Sequence, residues 1–423
     1  MTEPTAIRES QFYLNEFYMT TPSKRLSLKE ICARADIYES ILEPTVRAEF
    51  IISDAKGVFT AFDPLEQKIV IDFTTSKDTG STKYEFFPYS LEPAVSTSDD
   101  KAVVYKLTCT TEEAKKSKNI KDIPFVKDNI ECENMVLACL NTIGTDKNFF
   151  FEKTQGLHGY NMTGITPFQA IDLIRIQAMS AKYQGHAFCF FENSKGFVFK
   201  SIEGLIDEGK KNIGDKWFIQ SALANLSVTG SKWRNILAFK VIQRGNKGIA
   251  RMIGGFNNKI QQYNTKTGET TLFDNKPQDF QFVTLNEGSN DGSQEALKEF
   301  KQDAGEIEQI TFNPDVENAE VARKRNVLRY YMTHFLNVIC HITVYGDSNI
   351  TAGDVITCEI PEHDGLPISE NKPYIDQSSI VAGNYLITKC RHVMTFNEKA
   401  EYLQSYEIVK DGVGGDRPRA NRV

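Results

Sequence analysis

The stretch TPFQAIDLIRIQAMSAKYQGHAFCFFENSKGFVFKSIEGL, residues 166–205, has the clearest secondary-structure pattern in the chain. Thr166 suits the N-cap of a helix, and Pro167 suits the first turn, where its missing N–H costs no hydrogen bond. Gly185 is expected to end this helix. The apolar residues in between share one helical face, which predicts a buried amphipathic helix: Ala170, Ile171, Ile174, Ala178 and Ala181.

Phenylalanines alternate with other residues on both sides of a short polar segment, residues 192–196. Such alternation around a turn predicts a β-hairpin with an aromatic face. The helix and the hairpin contain no catalytic motif and no phosphate-binding loop, so we interpret the unit as architecture. Its predicted structural core consists of Phe168, Ile171, Ile174, Phe188, Phe190, Phe197 and Phe199.

The composition is that of an ordinary globular protein, with 423 residues, 40% hydrophobic and 25% charged. At about 150 residues per domain, this length predicts two to four domains. The net charge of −7 argues against general binding of exposed nucleic acid, which needs a basic surface. The sequence has no long apolar run and no secretory signal, so no stable membrane insertion is expected. The eight cysteines form no CxxC pair, which favours reduced, buried thiols.

Short alternating apolar segments predict β-structure on both sides of this unit. Residues 46–110, after a polar lead, are typical of a small antiparallel barrel or sandwich, with a hairpin around Asp54–Gly57 between 50–52 and 58–62. Later in the chain, Gly268 suits the turn of a hairpin over 261–272. Two further helices are predicted over 131–143 and 319–336. Further strands are predicted from Trp233 and over 338–345, 354–360, 384–396 and 402–409.

These patterns predict a β-rich α+β protein in which two β regions flank an α/β helix–hairpin domain. The predicted bounds are 1–112 for the first β domain, 113–222 for the α/β domain, 223–255 with 325–410 for the second β domain, 256–324 for an insertion, and 411–423 for a C-terminal tail.

The insertion and the tail carry opposite charge. Residues 286–320 contain ten acidic and two basic residues. This favours a solvated excursion with a short helix near 294–303; the alternative is a surface that repels a polyanion or binds a basic partner. The tail has three arginines after glycines at Gly412–Gly415 and lacks core residues, so we expect it to be ordered only against a neighbouring chain. The arginines are Arg417, Arg419 and Arg422.

Candidate chemical groups are few. Cys390 and His392 share a face of a predicted strand and could act as nucleophile and base or as metal ligands. The same face carries Leu386, Met394 and Phe396, which favours core packing. His158, in the segment GLHGY, is predicted to lie in a loop as an ordinary residue. We therefore expect no catalytic, cofactor-binding or metal site, and no enzyme.

Several segments resemble, in order, the central baseplate hub proteins of contractile-tailed phages, which are related to the hub part of contractile secretion-system spike proteins. Residues 166–205 are similar to a recurring helix–hairpin segment of that family. The others are YKLTCTTEE at 105–113, RMIGGFNNKIQQYNTKTGE at 251–269, SNITAGDVITCEIP at 348–361 and GNYLITKCRHVM at 383–394. The resemblance covers about residues 45–410.

The resemblance implies that each β region is a tube-like antiparallel β-barrel domain and that the protein is a homotrimer. Six barrels in a ring would then match a sixfold tail tube and a threefold central spike. The chain shows no fused spike segment, which implies a separate spike protein. The implied partners are the tail-tube protein, this spike protein and other baseplate proteins, with DNA only passing through the channel. The implied location is the virion, after synthesis in the host cytoplasm.

Two alternatives remain open at this stage. The first is a hub enzyme that degrades the cell wall, with Glu192 or His158 as the reactive group. The second is a tail-tube or tail-terminator protein, which usually needs one barrel and fewer residues.

Overall fold

In a computed structural model, the chain is described over most of its length. The described residues are 10–75 without 22–23, 56, 58 and 60–61; 81–94; 103–219 without 184–186 and 215; 234–244; 258–275 without 265–266; 283 and 285–286; 307–312; 338–360; 382–396; and 400–410.

In the first β region, the described residues form seven strands: β1 Phe12–Thr20, β2 Arg25–Ser27, β3 Cys32–Ser40, β4 Arg47–Asp54, β5 Ile69–Thr75, β6 Thr82–Ala94 and β7 Val103–Thr111. Three of these strands lie in the segment that the sequence presented as a polar lead, so that interpretation is wrong. In β1, the pairing with β5 shifts register between Leu14 and Glu16. Such a bulge interrupts the alternation of apolar residues by which a strand is recognised.

The hairpin predicted around Asp54–Gly57 is also wrong. Strand β4 pairs with β3 on one side and β7 on the other. Asp54 instead accepts a hydrogen bond from the Phe59 N–H at 2.9 Å, and Phe59 is buried. Both edges of β4 are therefore already paired, and Phe59, among the described residues after it, packs its side chain inward.

The middle region contains α1 Glu112–Asn119, β8 Asp122–Ile130, α2 Cys132–Ile143, β9 Phe149–Phe151, β10 His158–Thr163, α3 Pro167–Gln177, β11 Phe188–Asn193, β12 Gly196–Ser201 and α4 Ile202–Lys211. The predicted start of α3 is confirmed, because Thr166 and Gln169 form a reciprocal capping box. The helix ends at Gln177 and not at Gly185. The backbone of residues 179–181 instead bonds to that of residues 153–155, at 2.7 Å from the Gln155 N–H to the Met179 carbonyl. Ala178 and Ala181 therefore lie beyond the helix.

The predicted hairpin is confirmed as β11 and β12, with a turn at Ser194–Lys195. It is buried on both faces, whereas the sequence predicted one aromatic face. Side chains of one face join the cluster formed by α2 and α3: Phe188, Phe190, Phe197 and Phe199. Side chains of the other face join the core of the second β region: Cys189, Phe191 and Val198.

The second β region contains β13 Trp217–Phe218, β14 Ile236–Arg244, β18 Val338–Tyr345, β19 Val355–Glu359, β20 Gly383–Thr395 and β21 Glu401–Lys410. A separate three-stranded sheet comprises β15 Asn258–Asn264, β16 Thr270–Asn275 and β17 Ile307–Phe312. The predicted hairpin with Gly268 at positive φ is confirmed between β15 and β16. The predicted helices near 294–303 and over 319–336, and the tail from 411, lie outside the described residues.

Both β regions belong to one sheet, which contains thirteen of the described strands. Strand β20 pairs with β3, so a strand from the end of the chain joins one from its start. The β20–β21 hairpin contributes side chains to two hydrophobic cores. Leu386 and Ile408 pack in the core of the second region, whereas Met394 and Tyr402 pack in the core of the first. The domain bounds drawn from the sequence stay predictions, since these two strands belong to both cores.

Contacts near the N-terminus close the first core. The Tyr402 N–H of β21 donates to the Ser10 carbonyl at 2.8 Å, just before β1 begins. Phe12 forms edge contacts with Phe396 and Tyr402, at ring-centroid distances of 5.8 and 6.1 Å. The first core is therefore completed by residues almost 400 positions away in the sequence.

All eight cysteines are buried with free thiols, as predicted. Among the helices that the structure describes, none has the length and hydrophobicity that crossing a membrane requires.

We predict that Phe190→Ala lowers the free energy of unfolding by about 3–5 kcal/mol, because it leaves a cavity in the packed cluster. The Phe190 ring is 6% exposed and stacks on Phe197 at 5.6 Å. Phe150→Ala is the matched control, since Phe150 is 42% exposed, and it should change stability by less than about 1 kcal/mol. Urea denaturation followed by circular dichroism measures both. Equal stability of the two variants would contradict a core role for Phe190.

Candidate functional site

The buried carboxylate of Glu39 lies where three parts of the chain meet. Glu39 is 1% exposed and lies on β3, directly opposite Cys390 on β20. One carboxylate oxygen accepts hydrogen bonds from the Tyr84 hydroxyl at 3.0 Å and from the Ser194 N–H at 2.8 Å. The other accepts from the Ala352 N–H at 3.1 Å. The donors belong to the first β region, the aromatic hairpin and the second β region, so we name the site the Glu39 junction.

The tip of the aromatic hairpin adds further contacts at this junction. The Asn193 side-chain amide donates to the Thr351 hydroxyl at 3.1 Å and to the Ala352 carbonyl at 3.2 Å. Gly353 follows with a φ of 93°, and a Cβ atom there would lie 2.8 Å from the Phe191 ring. Glycine is therefore required by both backbone conformation and space.

Cys390 and His392 lie side by side next to Glu39. The Cys390 Sγ is 3.3 Å from the His392 Nε2, which is 3.6 Å from a Glu39 carboxylate oxygen. The His392 Nδ1 is 2.7 Å from the Tyr402 hydroxyl. Burial raises the pKa of the Cys390 thiol well above its usual range, so the thiol is protonated at neutral pH. The sequence correctly placed Cys390 and His392 on one face but gave no sign of Glu39.

Gln404 extends this polar group towards the second β region. Its side-chain oxygen accepts from the Asp347 N–H and the Tyr406 hydroxyl, both at 2.7 Å. Asp347 in turn forms a largely buried ion pair with Arg234 at 3.0 Å. Arg234 also lies over the Trp217 ring, 4.7 Å from its centroid. Because the Gln404 side-chain nitrogen lies 3.3 Å from the His392 Nδ1, these polar contacts link the Glu39 junction to the ring of Trp217 in the second core.

A second polar group, with two buried carboxylates, centres on the half-buried Lys147. Its ammonium group lies 2.6 Å from carboxylate oxygens of both Glu113 and Glu192. Glu192 also accepts from the Val46 N–H at 3.2 Å and the Thr111 hydroxyl at 3.1 Å. These contacts join the hairpin to the first β region a second time.

The pKa values of the two carboxyl groups beside Lys147 are shifted in opposite directions. Burial raises the pKa of Glu192, and the Lys147 charge only partly opposes this. Burial also acts to raise the pKa of Glu113, but Lys147 and the Thr145 hydroxyl outweigh it, and the pKa is lowered. Glu113 is therefore the group whose ionised form the fold favours.

The remaining candidate from the sequence, His158, is the first residue of β10, where it pairs with Ile130, so the prediction of a loop is wrong. The described contacts of Glu192 do not include His158. Glu192 itself is 3% exposed and holds an ammonium group and two neutral donors. Sequence reasoning missed Glu39 and Lys147, because the burial of Glu39 and the carboxylate partners of Lys147 depend on residues far away in the chain.

Comparison with known proteins identifies solved structures of similar fold but no relative in sequence. No family model matches the chain, and no curated protein matches it in sequence. Among solved structures, it is similar to the tail protein from Neisseria meningitidis MC58, with a TM-score of 0.55 and 9% identity over 94% of this chain and 97% of that one. It is also similar to the 43 kDa tail protein of prophage MuSo2 from Shewanella oneidensis, with a TM-score of 0.54 and 10% identity over 94% and 98%.

These likenesses extend along nearly the whole of each chain, so they concern the complete arrangement of β regions and middle domain. The β-rich α+β fold predicted from the sequence is confirmed. The predicted resemblance is confirmed as a likeness of fold to these two tail proteins.

We predict that Glu39→Ala lowers the free energy of unfolding by at least about 3 kcal/mol, because two buried donors and one half-buried donor lose their acceptor. Glu43→Ala is the matched control: Glu43 pairs with Arg47 at 2.7 Å in an exposed ion pair, which contributes at most about 1 kcal/mol. Urea denaturation of both variants tests this. A loss for Glu39→Ala no larger than that for the control would show that the junction contributes little.

We predict that Lys147→Met lowers the free energy of unfolding by about 1–3 kcal/mol at pH 7, because two buried carboxylates lose a cation whose own side chain is 34% exposed and therefore partly screened by water. Without Lys147, their pKa values in the folded chain rise above those of the unfolded chain. Stability is then retained at low pH and lost as pH rises. The difference in free energy of unfolding between wild type and variant should therefore shrink towards about pH 4.

Denaturation curves at several pH values measure this deficit. Lys153→Met, at an exposed lysine, should show neither the loss nor its pH dependence. A deficit for Lys147→Met that is the same at every pH would contradict the role of the two carboxylates.

Proposed function

We propose that this protein is the structural baseplate hub of a phage contractile tail. It acts as a homotrimer that joins the sixfold tail tube to the threefold central spike and lines part of the DNA channel. The observation that carries this proposal is the likeness of fold to two tail proteins, one of them from a prophage, over 94% of this chain and 97–98% of theirs.

Two β cores in each chain support the symmetry-adaptor role. Three chains with two related β units each can present six similar units to a sixfold tube and three equal positions to a spike. This requires that the two units of one chain keep a fixed relative position. The shared β20–β21 hairpin and the Glu39 junction supply that constraint, since both connect the two regions through buried contacts.

The pairing of surface charges supports a channel through which DNA passes without stable binding. On the exposed side of β3, β20 and β21, Arg391 lies 3.1 Å from Asp36 and Lys389 lies 2.9 Å from Glu407. Cations that already have carboxylate partners are poor ligands for phosphate. The net charge of −7 also disfavours stable binding of DNA, because a negatively charged channel would repel phosphates.

A non-enzymatic role is part of the proposal. Glu192, the carboxylate that a wall-degrading enzyme would use, is buried and bound to Lys147, Val46 and Thr111. A general acid must reach its substrate, and these contacts keep Glu192 from doing so. The partners we propose are the tail-tube protein, a central spike protein and other baseplate proteins. The virion tail is the proposed location.

We predict three copies of this chain per tail in purified particles, because a trimer is what a hub between sixfold and threefold components requires. Cryo-electron microscopy of the intact baseplate measures the copy number and the contacts with tube and spike together. One copy or six copies per tail would overturn the proposal.

The two alternatives give distinct outcomes with purified protein. A tail-tube protein would polymerise into tubes visible by negative-stain electron microscopy. A wall-degrading enzyme would release soluble fragments from peptidoglycan, and Glu192→Gln would abolish the release. We expect neither tubes nor fragments.

A further inference from the structure

We propose that the Glu39 junction is a zinc site, with Glu39, Cys390 and His392 as ligands. One ligand atom from each of these residues can be chosen so that all three lie within 4.8 Å of one another. The inference is independent of the proposed function. It concerns an ion that would hold the first β region to the second.

Two of the three separations between the ligand atoms match those found around a zinc ion, and the third, between the Cys390 Sγ and a Glu39 oxygen, is at most 4.8 Å. Zinc bonds of about 2.0–2.3 Å in tetrahedral geometry place neighbouring ligand atoms about 3.3–3.8 Å apart. The Cys390 Sγ and His392 Nε2 are 3.3 Å apart, and the His392 Nε2 and a Glu39 oxygen are 3.6 Å apart. Three protein ligands of the sulfur, nitrogen and oxygen types are a set that zinc accepts.

Backbone pairing fixes this arrangement. Glu39 and Cys390 are directly opposite each other in the β3–β20 ladder. His392 follows Cys390 by two residues and therefore lies on the same face of the sheet. The three ligands thus lie on two adjacent strands of regular structure, which holds their positions more accurately than loops would.

The surroundings of the ligands are those expected around a bound metal. The His392 Nδ1 lies 2.7 Å from the Tyr402 hydroxyl, so this oxygen can accept the Nδ1 proton while Nε2 faces the metal. Such contacts orient ligating histidines in metalloproteins. The Tyr84 hydroxyl lies 3.0 Å from the Glu39 oxygen that faces His392 and fixes the carboxylate in turn.

Charge balance also favours a dication at this position. When zinc binds, the Cys390 thiol releases one proton to solvent and the sulfur binds as thiolate. The thiolate and the Glu39 carboxylate then neutralise the two positive charges of the ion. In the absence of metal, the carboxylate is buried with only neutral hydrogen-bond donors and the adjacent imidazole, which is a more costly arrangement for a full charge.

We expect the full-length protein, purified without chelator from cells grown with added zinc, to contain one zinc ion per chain by inductively coupled plasma mass spectrometry. Cys390→Ser and His392→Asn should each remove most of this zinc. Cys358→Ser is the matched control, since Cys358 is also a buried cysteine of the second core, and it should retain the ion. Zinc-free wild-type protein, or a Cys390→Ser protein that keeps its zinc, would overturn the proposal.

A second measurement does not depend on the folding of any variant. Wild-type protein produced in cells supplied with cobalt should show the near-ultraviolet absorption of a thiolate–cobalt bond and the visible bands of tetrahedral cobalt. Absence of these bands in soluble, folded wild-type protein would contradict ligation by Cys390.

Discussion

Folding removes the Glu39 carboxylate from water, so groups of the protein have to replace the hydrogen bonds that water made to it. A buried carboxylate is tolerated only when donors or opposite charges surround it. Here the donors come from β6, from the tip of the aromatic hairpin and from the loop before β19. Because each donor belongs to a different part of the chain, the carboxylate is satisfied only when all these parts are in their final positions. The relative arrangement of the two β regions depends on this condition.

The shared β20–β21 hairpin imposes the same dependence on the apolar cores. Its two strands carry Leu386 and Ile408 into one core and Met394 and Tyr402 into the other. The first β region, although it begins the chain, lacks part of its core until the end of the chain has joined it. Bringing together residues so far apart in the sequence costs chain entropy before the contacts between them contribute any stability. We therefore expect the two regions to fold cooperatively.

The aromatic hairpin connects these regions to the middle domain. Its two faces fill different cores, its tip donates to Glu39, and Glu192 accepts from the first β region. A two-stranded element buried on both faces has little freedom to move relative to its neighbours. The resulting rigid connection suits the adaptor role that we propose, in which the spacing of the two β units within one chain has to stay constant.

Local interactions explain what the sequence determined by itself. The capping box of Thr166 and Gln169 and the alternation around Ser194–Lys195 lie within a few residues, so the start of α3 and the hairpin were predictable. The common face of Cys390 and His392 followed from their spacing of two. Only the tertiary structure decided where α3 ends, how the bulged strand β1 pairs and which charges are buried. The Ser194 and Ala352 donors of Glu39 are 155 and 313 residues away, and no local pattern records contacts over such separations.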